Sequence, residues 1–265
     1  MTGSKSSIEV GGTRDILTEY RAVYGDRSVI LYTVTTVMMD NTSTNTDHES
    51  PQGIVYFDFD GVLSRTSSWR SVHRQLDTLT TADEHYKRYK DGELSYTEWG
   101  ALDSQLWDDT STNTFYQAAD GIEIIDGIKE TLTILNEWRF VTGVVSAGVY
   151  QLIETTIGEH PFDFMVANKA RIENGAVRGK MIMNVMNDKR PHYQDFADQY
   201  DLSLDQSVTV GDSHDDFRPT DRGLNIGFNA DEEVADVADA MVDGDDLQHI
   251  LPVVEEWCDR LDRRA

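Results

Sequence analysis

The fold is decided by the stretch Ile54-Val55-Tyr56-Phe57-Asp58-Phe59-Asp60-Gly61-Val62-Leu63. Its first four residues are apolar and rich in β-branched and aromatic side chains, which predicts a buried strand. The strand ends at Asp58 and Asp60, and in open parallel α/β sheets ligands bind beyond the carboxyl ends of the strands. We therefore expect both carboxylates to project into one crevice. Because neighbouring carboxylates raise each other's cost of ionisation, Mg²⁺ is the expected counter-charge.

The composition restricts the classes of function. The chain has 265 residues, a formal net charge of -25 and 16 Arg against 7 Lys. Binding to nucleic acid or to an anionic membrane is disfavoured, because a polyanion gains nothing by approaching such a surface. The acidic residues are spread along the chain, a pattern that resembles the cytosolic proteins of salt-loving organisms. We therefore expect salt-dependent folding.

Cys258 is the only cysteine of the sequence, which excludes an intrachain disulfide and a zinc site built on thiolates. No apolar run approaches the length that spans a bilayer. The expectation is a soluble cytoplasmic protein, a monomer or a homodimer.

Residues 1–52 differ from the rest. The pattern predicts a short helix over 13–24, a strand over 28–37 and disorder over 40–53. Met38 and Met39 precede this polar linker and offer an alternative start of translation. Residues 1–52 are therefore predicted to be an uncertain or disordered extension, either an upstream artefact or a dispensable arm.

A helical insert follows the first strand. Helical spacing over 67–76 and 82–91, and a capping box at Ser95-Tyr96-Thr97-Glu98 that opens a helix through Trp107, predict a small all-helical unit. We interpret residues 64–120 as a cap over the carboxylates and residues 53–63 with 121–265 as the core. A lid of this kind excludes water from the first chemical step, whereas an ordinary helical subdomain is the alternative.

The rest of the pattern predicts alternating helices and strands, hence a Rossmann-like three-layer α/β/α core with a parallel sheet. The expected elements are a helix over 121–138, strands over 140–145 and 162–167, a hairpin over 170–178 around Asn174-Gly175, a helix over 189–200, strands over 207–210 and 224–229, and a helix over 247–261 that packs Cys258.

The motif Asp58-Phe59-Asp60-Gly61 resembles the first motif of the haloacid dehalogenase superfamily. The resemblance implies that Asp58 is the nucleophile and Asp60 the general acid/base. Dehalogenases of that superfamily lack the second Asp, so Asp60 indicates phosphoryl-ester chemistry. The stretch Ser146-Ala147-Gly148 is similar to the second motif, in which the hydroxyl group binds a phosphoryl oxygen.

The third and fourth motifs follow in the expected order. Lys189 is similar to the lysine that neutralises nucleophile and phosphate, and its register favours it over Lys180. Gly211-Asp212-Ser213-His214-Asp215-Asp216 is similar to the fourth motif. The resemblance implies a Mg²⁺ ion bound by Asp58, the backbone carbonyl of Asp60 and Asp212, with Asp216 in support. His214 is interpreted as a loop residue that faces solvent or touches substrate.

Within the superfamily the chain most resembles the phosphoserine phosphatases, but the cap departs from them. Ser67 and Asp103 stand where that branch has the Glu and the Arg that hold phosphoserine, which puts phosphoserine in doubt as the substrate. Arg65, Arg70 and Arg74 offer cations instead, for a substrate with an additional anionic group. Asn168 is either a substrate contact or part of a structural turn.

The resulting hypothesis is a Mg²⁺-dependent phosphomonoesterase that acts on a small metabolite through an aspartyl phosphate. Two alternatives stay open. A phosphomutase or phosphotransferase would use the same intermediate but shield it from water, and a silent binding module would lack turnover.

Overall fold

The computed structural model describes residues 4–10, 13–24, 27–38, 50–217 and 223–262, with side chains from 50 to 217 and from 223 to 261. The strands in these ranges are β1 Ser4–Val10, β2 Thr13–Tyr24, β3 Arg27–Met38, β4 Gly53–Phe57, β5 Phe140–Val149, β6 Phe164–Asn168, β7 Ile172–Glu173, β8 Ala176–Val177, β9 Ser207–Gly211, β10 Leu224–Phe228 and β11 Ala240–Val242. The α-helices are α1 Ser68–Gln75, α2 Leu79–Lys90, α3 Tyr96–Gln105, α4 Thr112–Tyr116, α5 Ile128–Glu137, α6 Tyr150–Ile157, α7 Arg190–Gln199 and α8 Leu251–Asp262.

The central sheet has the strand order β1-β2-β3-β6-β5-β4-β9-β10-β11. The six strands from β6 to β11 in this order are parallel, and β3 pairs antiparallel with β6 at one edge. Strand β4 lies between β5 and β9, so the chain leaves it in one direction and later returns on its other side. The predicted parallel α/β core is confirmed, and the carboxyl end of β4 is its topological switch point.

Strand β4 is buried on both faces, as its continuous apolar run predicts. Val55 and Phe57 pack into the larger hydrophobic cluster, which includes residues of α5, α6 and α8. Ile54 and Tyr56 pack into a second cluster with residues of α7. Alternation along one strand therefore builds the helical layers on both sides of the sheet, and it fixes the end of β4 rigidly.

Several predicted elements have different bounds. The helix predicted over 13–24 is wrong: this segment is β2, which pairs along its whole length with β3. Pairing along twelve residues outweighs a weak local helical pattern. The strand predicted over 28–37 is confirmed as β3. Of the predicted disorder, residues 40–49 lie outside the described residues, and Gly53 already belongs to β4.

The helix predicted over 121–138 begins only at Ile128. Gly127, with a φ of 75°, precedes it, and residues before this glycine are extended, with Ile125 donating its backbone N–H to the Leu63 carbonyl. Apolar spacing alone did not show this turn, because Ile122 and Ile125 are buried in the extended conformation as well. The predicted hairpin is confirmed as β7 and β8, with positive φ at Asn174 and Gly175.

Helices α1 to α4 occupy the stretch in which the cap was predicted. The capping box at Ser95 and Glu98 is present at the start of α3. Cys258 packs half-buried against the core. Among the described residues, no helix is long and apolar enough to cross a membrane.

Candidate active site

The first motif turns directly from β4 towards β9. Asp58 donates its backbone N–H to the Val210 carbonyl at 3.0 Å, which ties the motif to the neighbouring strand. Gly61 has a φ of 92°, and a Cβ at this position would lie 2.0 Å from Asp212 Oδ2. Only glycine therefore fits here, because both the backbone conformation and the close approach to Asp212 exclude a side chain.

Three carboxylates meet at this point. Ligand atoms of Asp58, Asp212 and Asp216 all lie within 4.8 Å of one another. Burial raises the pKa of Asp58, and burial together with the charge of Asp58 raises the pKa of Asp212. Carboxylate oxygens are the ligands that Mg²⁺ prefers, and a divalent cation would offset the repulsion in the cluster. The donor set therefore fits the predicted Mg²⁺ site.

Lys189 is the cation of the site. Its side chain is buried, and Nζ lies 2.9 Å from Asp58 Oδ1 and 2.5 Å from Asp216 Oδ1. Burial alone would lower the lysine pKa, but the charges of Asp216 and Asp58 outweigh it and hold the pKa well above its usual value. Lys180, the alternative weighed from the sequence, is exposed.

Asp216 braces the loop after β9. Its Oδ2 accepts hydrogen bonds from the backbone N–H groups of Asp212 (3.1 Å) and Ser213 (3.0 Å), and from the Ser213 hydroxyl group at 2.9 Å. Its other oxygen holds Lys189. With these bonds, Asp216 fixes the positions of Asp212 and Lys189 relative to each other, in addition to lying within reach of a metal ion.

Asp60 is separate from this carboxylate cluster. Its Oδ1 accepts the backbone N–H of Ser68 at 2.8 Å, and its Oδ2 accepts the hydroxyl groups of Ser67 at 3.1 Å and Ser68 at 3.0 Å. Burial raises the pKa of Asp60 to about 7, although the bonds from Ser68 and Ser67 counteract the rise. A carboxyl group with this pKa can both donate and accept a proton near neutral pH.

The second motif forms a bulge near the end of β5. The pairing of β5 with β6 shifts in register between Val145 and Val149, and Ser146 Oγ accepts the backbone N–H of Gly148 at 3.0 Å. Since the hydroxyl oxygen is the acceptor in this bond, its proton can be donated elsewhere. Ser146, Ala147 and Gly148 all line the same cavity as Asp58.

Two predicted substrate-side residues lie elsewhere. Asn168 uses its side-chain amide on the backbone, donating to the Ala147 carbonyl at 2.8 Å and accepting from the Val185 N–H at 2.8 Å. It supports the bulge and is not among the residues that line the cavity. Arg65 forms an ion pair with Glu123 at 3.3 Å and donates a hydrogen bond to the Asp245 carbonyl at 3.1 Å. Among the described residues that line the cavity, neither is present.

The cavity has a volume of about 680 Å³ and combines two parts of the chain. The strand ends contribute Asp58, Asp60, Ser146 and Asp212, and the start of α7 contributes Lys189. The helical insert contributes Ser67 and several aromatic side chains, and the exposed His214 also lines it. Arg70 lines the cavity too, whereas Arg74 is exposed and is absent from its described lining.

Sequence reasoning did not identify Ser68. This residue is fully buried at the first turn of α1, and its hydroxyl group donates to Asp60 while accepting the backbone N–H of Val149 at 3.0 Å. It therefore connects the cap helix, the acid/base candidate and the bulge. The one available signal was its place beside Ser67 at the predicted start of a helix.

Comparisons with known proteins show relatives of this chain in sequence and in fold. No family model matches the chain. It is 32% identical over 136 residues to a phosphoserine phosphatase of Mycobacterium tuberculosis, over 50% of this chain and 33% of that protein. It is 24% identical over 205 residues to the phosphoserine phosphatase of Archaeoglobus fulgidus, over 76% of this chain and 60% of that protein. The chain thus spans less than two thirds of the length of either relative.

The fold also matches a solved structure. A phospho-aspartyl intermediate analogue of phosphoserine phosphatase superposes with a TM-score of 0.68 and 23% identity, over 77% of this chain and 99% of that one. The parallel α/β core with its helical insert is therefore of the same fold class as that phosphoserine phosphatase structure. Within this class the predicted resemblance to the phosphoserine phosphatases is confirmed.

Proposed function

We propose that the protein is a Mg²⁺-dependent phosphomonoesterase, similar to phosphoserine phosphatases, that hydrolyses a small phosphorylated metabolite through an aspartyl phosphate. The observation that carries the proposal is the convergence of Asp58, Asp60, Lys189 and Asp212 on one cavity from three separate segments of the chain. Structural carboxylates seldom combine a raised pKa, a buried lysine and a cavity in this way.

The first half-reaction follows from these positions. A carboxylate oxygen of Asp58 attacks phosphorus, and the bond between phosphorus and the ester oxygen breaks. Lys189 offsets the charge that would otherwise repel the phosphate from Asp58, and the Ser146 hydroxyl group donates to a phosphoryl oxygen. Protonated Asp60 gives its proton to the leaving alkoxide.

In the second half-reaction the ionised Asp60 takes a proton from water. The resulting hydroxide attacks phosphorus, inorganic phosphate leaves, and the Asp58 carboxylate is restored. Asp58, Asp212 and the backbone carbonyl of Asp60 would hold Mg²⁺, with Asp216 in support. The bound ion supplies positive charge that draws the phosphate to the nucleophile.

The proposal includes the predicted division of the chain. Residues 64–120 act as a cap that closes over the strand ends, and residues 53–63 and 121–265 form the core. Residues 1–52 are an N-terminal extension, whose strand β3 pairs with β6 at the edge of the core sheet. We further propose a cytoplasmic protein, monomeric or homodimeric, that requires high salt. The support for the last point is the net charge of -25.

A phosphatase assay tests the proposal. In molar potassium chloride with Mg²⁺, the protein is expected to release phosphate from p-nitrophenyl phosphate, and activity should fall at low salt. Chelation of the metal should abolish turnover, and added Mg²⁺ should restore it. Absence of hydrolysis of this ester and of a panel of phosphorylated metabolites under all salt conditions would favour a binding module instead.

The Ser68→Ala variant tests the positioning of Asp60. Hydrogen bonds to a carboxylate favour its charged form, so loss of the Ser68 hydroxyl group should raise the pKa of Asp60 further. The acid form would then persist to higher pH, and the descending limb of the profile of kcat/KM against pH should move to higher pH by roughly half a unit to one unit.

Ser71→Ala provides the matched control. Ser71 lies on the same helix and is buried, but its hydroxyl group has no hydrogen-bond partner among the described residues. Removal of the Ser71 hydroxyl group should leave the descending limb of the kcat/KM profile at the same pH. An unchanged profile in Ser68→Ala, or an equal shift in both variants, would contradict the role of Ser68.

A further inference from the structure

Five aromatic side chains of the cap form what we call the aromatic wall: Trp69, Tyr86, Tyr89, Tyr96 and Trp99. Trp99 is its centre, stacked on Tyr89 with ring centroids 5.2 Å apart and on Trp69 at 5.8 Å. Tyr96 and Tyr86 approach Trp99 at 5.5 and 5.6 Å. Rings from α1, α2 and α3 thus form one continuous surface, and all five line the cavity.

The aromatic wall lies beside the proposed phosphate position. Trp69 donates its indole N–H to the Ala147 carbonyl at 2.9 Å, next to Ser146. Tyr96 lies close enough to Lys189 and Asp58 for their charges to affect the pKa of its hydroxyl group, which burial raises. A substrate with its phosphorus at Asp58 therefore places its alcohol portion against these rings.

The charged residues that line the cavity limit which substrate group can bind against the aromatic wall. Outside the proposed catalytic set, the described lining has five carboxylates and two cations: Asp83, Asp103, Asp215, Asp231 and Glu233 against Arg70 and Lys90. Arg70 and Asp83 form an ion pair at 2.5 Å and offset each other's charge, so the remaining residues of this set still have more carboxylates than cations. The acidic surplus disfavours a second anionic group on the substrate, contrary to the role suggested from the sequence for the arginines.

An aromatic surface in an acidic cavity suits a cation. Ring faces attract ammonium groups, and N-alkylated ammonium ions most of all, because they lose little hydration on contact. A neutral apolar group would use the rings but gain nothing from the carboxylates. We propose that the aromatic wall binds a substituted ammonium group, so that the substrate is the phosphate ester of an amino alcohol without a carboxylate. This inference rests on the proposed phosphatase function.

The test compares two substrates of the same shape. Phosphocholine carries a trimethylammonium group, and 3,3-dimethylbutyl phosphate replaces its nitrogen with carbon. We expect kcat/KM to be about 10-fold higher for phosphocholine, within the range of cation–π contributions. Phosphoethanolamine should likewise be hydrolysed faster than phosphoserine. Equal rates for the two isosteres, or a preference for the neutral one, would overturn the inference.

Two variants locate the effect. Trp99→Leu keeps an apolar side chain but removes the ring, so the ratio between the two isosteres should fall to about 2 or below, whereas Trp99→Phe should retain most of it. Tyr116→Leu is the control, because Tyr116 is an exposed cap aromatic outside the described cavity lining. An unchanged ratio in Trp99→Leu would contradict the assignment.

A binding measurement separates this inference from the proposed function. Hydrolysis of p-nitrophenyl phosphate without discrimination between the isosteres would refute the ammonium site alone. If no ester is hydrolysed, calorimetric titration of the protein with each isostere still decides: tighter binding of phosphocholine supports the site, and equal binding overturns it.

Discussion

The Asp58→Asn variant is expected to lose phosphatase activity by on the order of 10⁴-fold or more, as other enzymes do when they lose a covalent nucleophile. The neutral amide matches the carboxyl group in shape but cannot attack phosphorus to form an acyl phosphate. Folding should persist, because burial disfavours the charged form of Asp58 and Lys189 keeps its bond to Asp216. Phosphate release and a thermal melt measure the two effects separately.

The matched control is Asp163→Asn. Asp163 is another carboxyl group whose pKa is raised by burial, and it accepts the backbone N–H of Thr142 at 2.7 Å, outside the described cavity lining. This variant should keep its turnover number. Acid-quenched protein provides a second readout, since labelled phosphate should remain attached to the native chain and not to Asp58→Asn. Retained hydrolysis or retained label in Asp58→Asn would remove Asp58 as the nucleophile.

The sequence predicts those site residues whose position depends only on the end of a single strand. Asp58 and Asp212 follow apolar runs directly, and adjacent parallel strands bring their carboxyl ends together whatever the loops do. Lys189 was predicted because its register ahead of β9 resembles that of the phosphoserine phosphatases. The fold agrees with this prediction, because a helix that precedes a strand starts near the end of the sheet at which the previous strand finished.

The aromatic wall, in contrast, could not be predicted from the sequence. Trp69, Tyr89 and Trp99 come from three cap helices, and at each position the local pattern shows only a helix. Their stacking depends on how those helices pack, which is a property of tertiary structure. The same holds for Asn168 and Arg65, whose sequence positions suggested substrate contacts, while the fold supplied each with partners outside the cavity.

The Asp60→Asn variant is expected to lose different amounts of activity on different substrates, depending on whether the leaving group needs a proton. An alkoxide is a poor leaving group that needs a proton, so kcat/KM for alkyl phosphates should fall by roughly 10²-fold or more. p-Nitrophenolate leaves without protonation, so its release in the first turnover should be affected far less. Since Asn cannot activate water for the second step, the variant should give a burst of p-nitrophenol equal to the enzyme present. Equal losses for both esters, without a burst, would contradict the acid/base role.

The same variant should change the dependence of stability on pH. The pKa of Asp60 is about 7 in the folded protein and 3.8 when unperturbed, so between these values the folded state binds a proton that the unfolded state has lost. Ionisation of Asp60 thus lowers the free energy of unfolding as pH rises from about 4 to about 7, by up to about 4 kcal/mol, and the loss persists above pH 7.

Asparagine at position 60 has no proton to lose in this pH range. In metal-free buffer, Asp60→Asn should therefore gain stability relative to the native chain as pH rises through this interval, and denaturant titrations at pH 5 and pH 8 measure the difference. A constant difference between these two pH values would show that Asp60 stays ionised throughout, and the acid role in the first half-reaction would then be untenable.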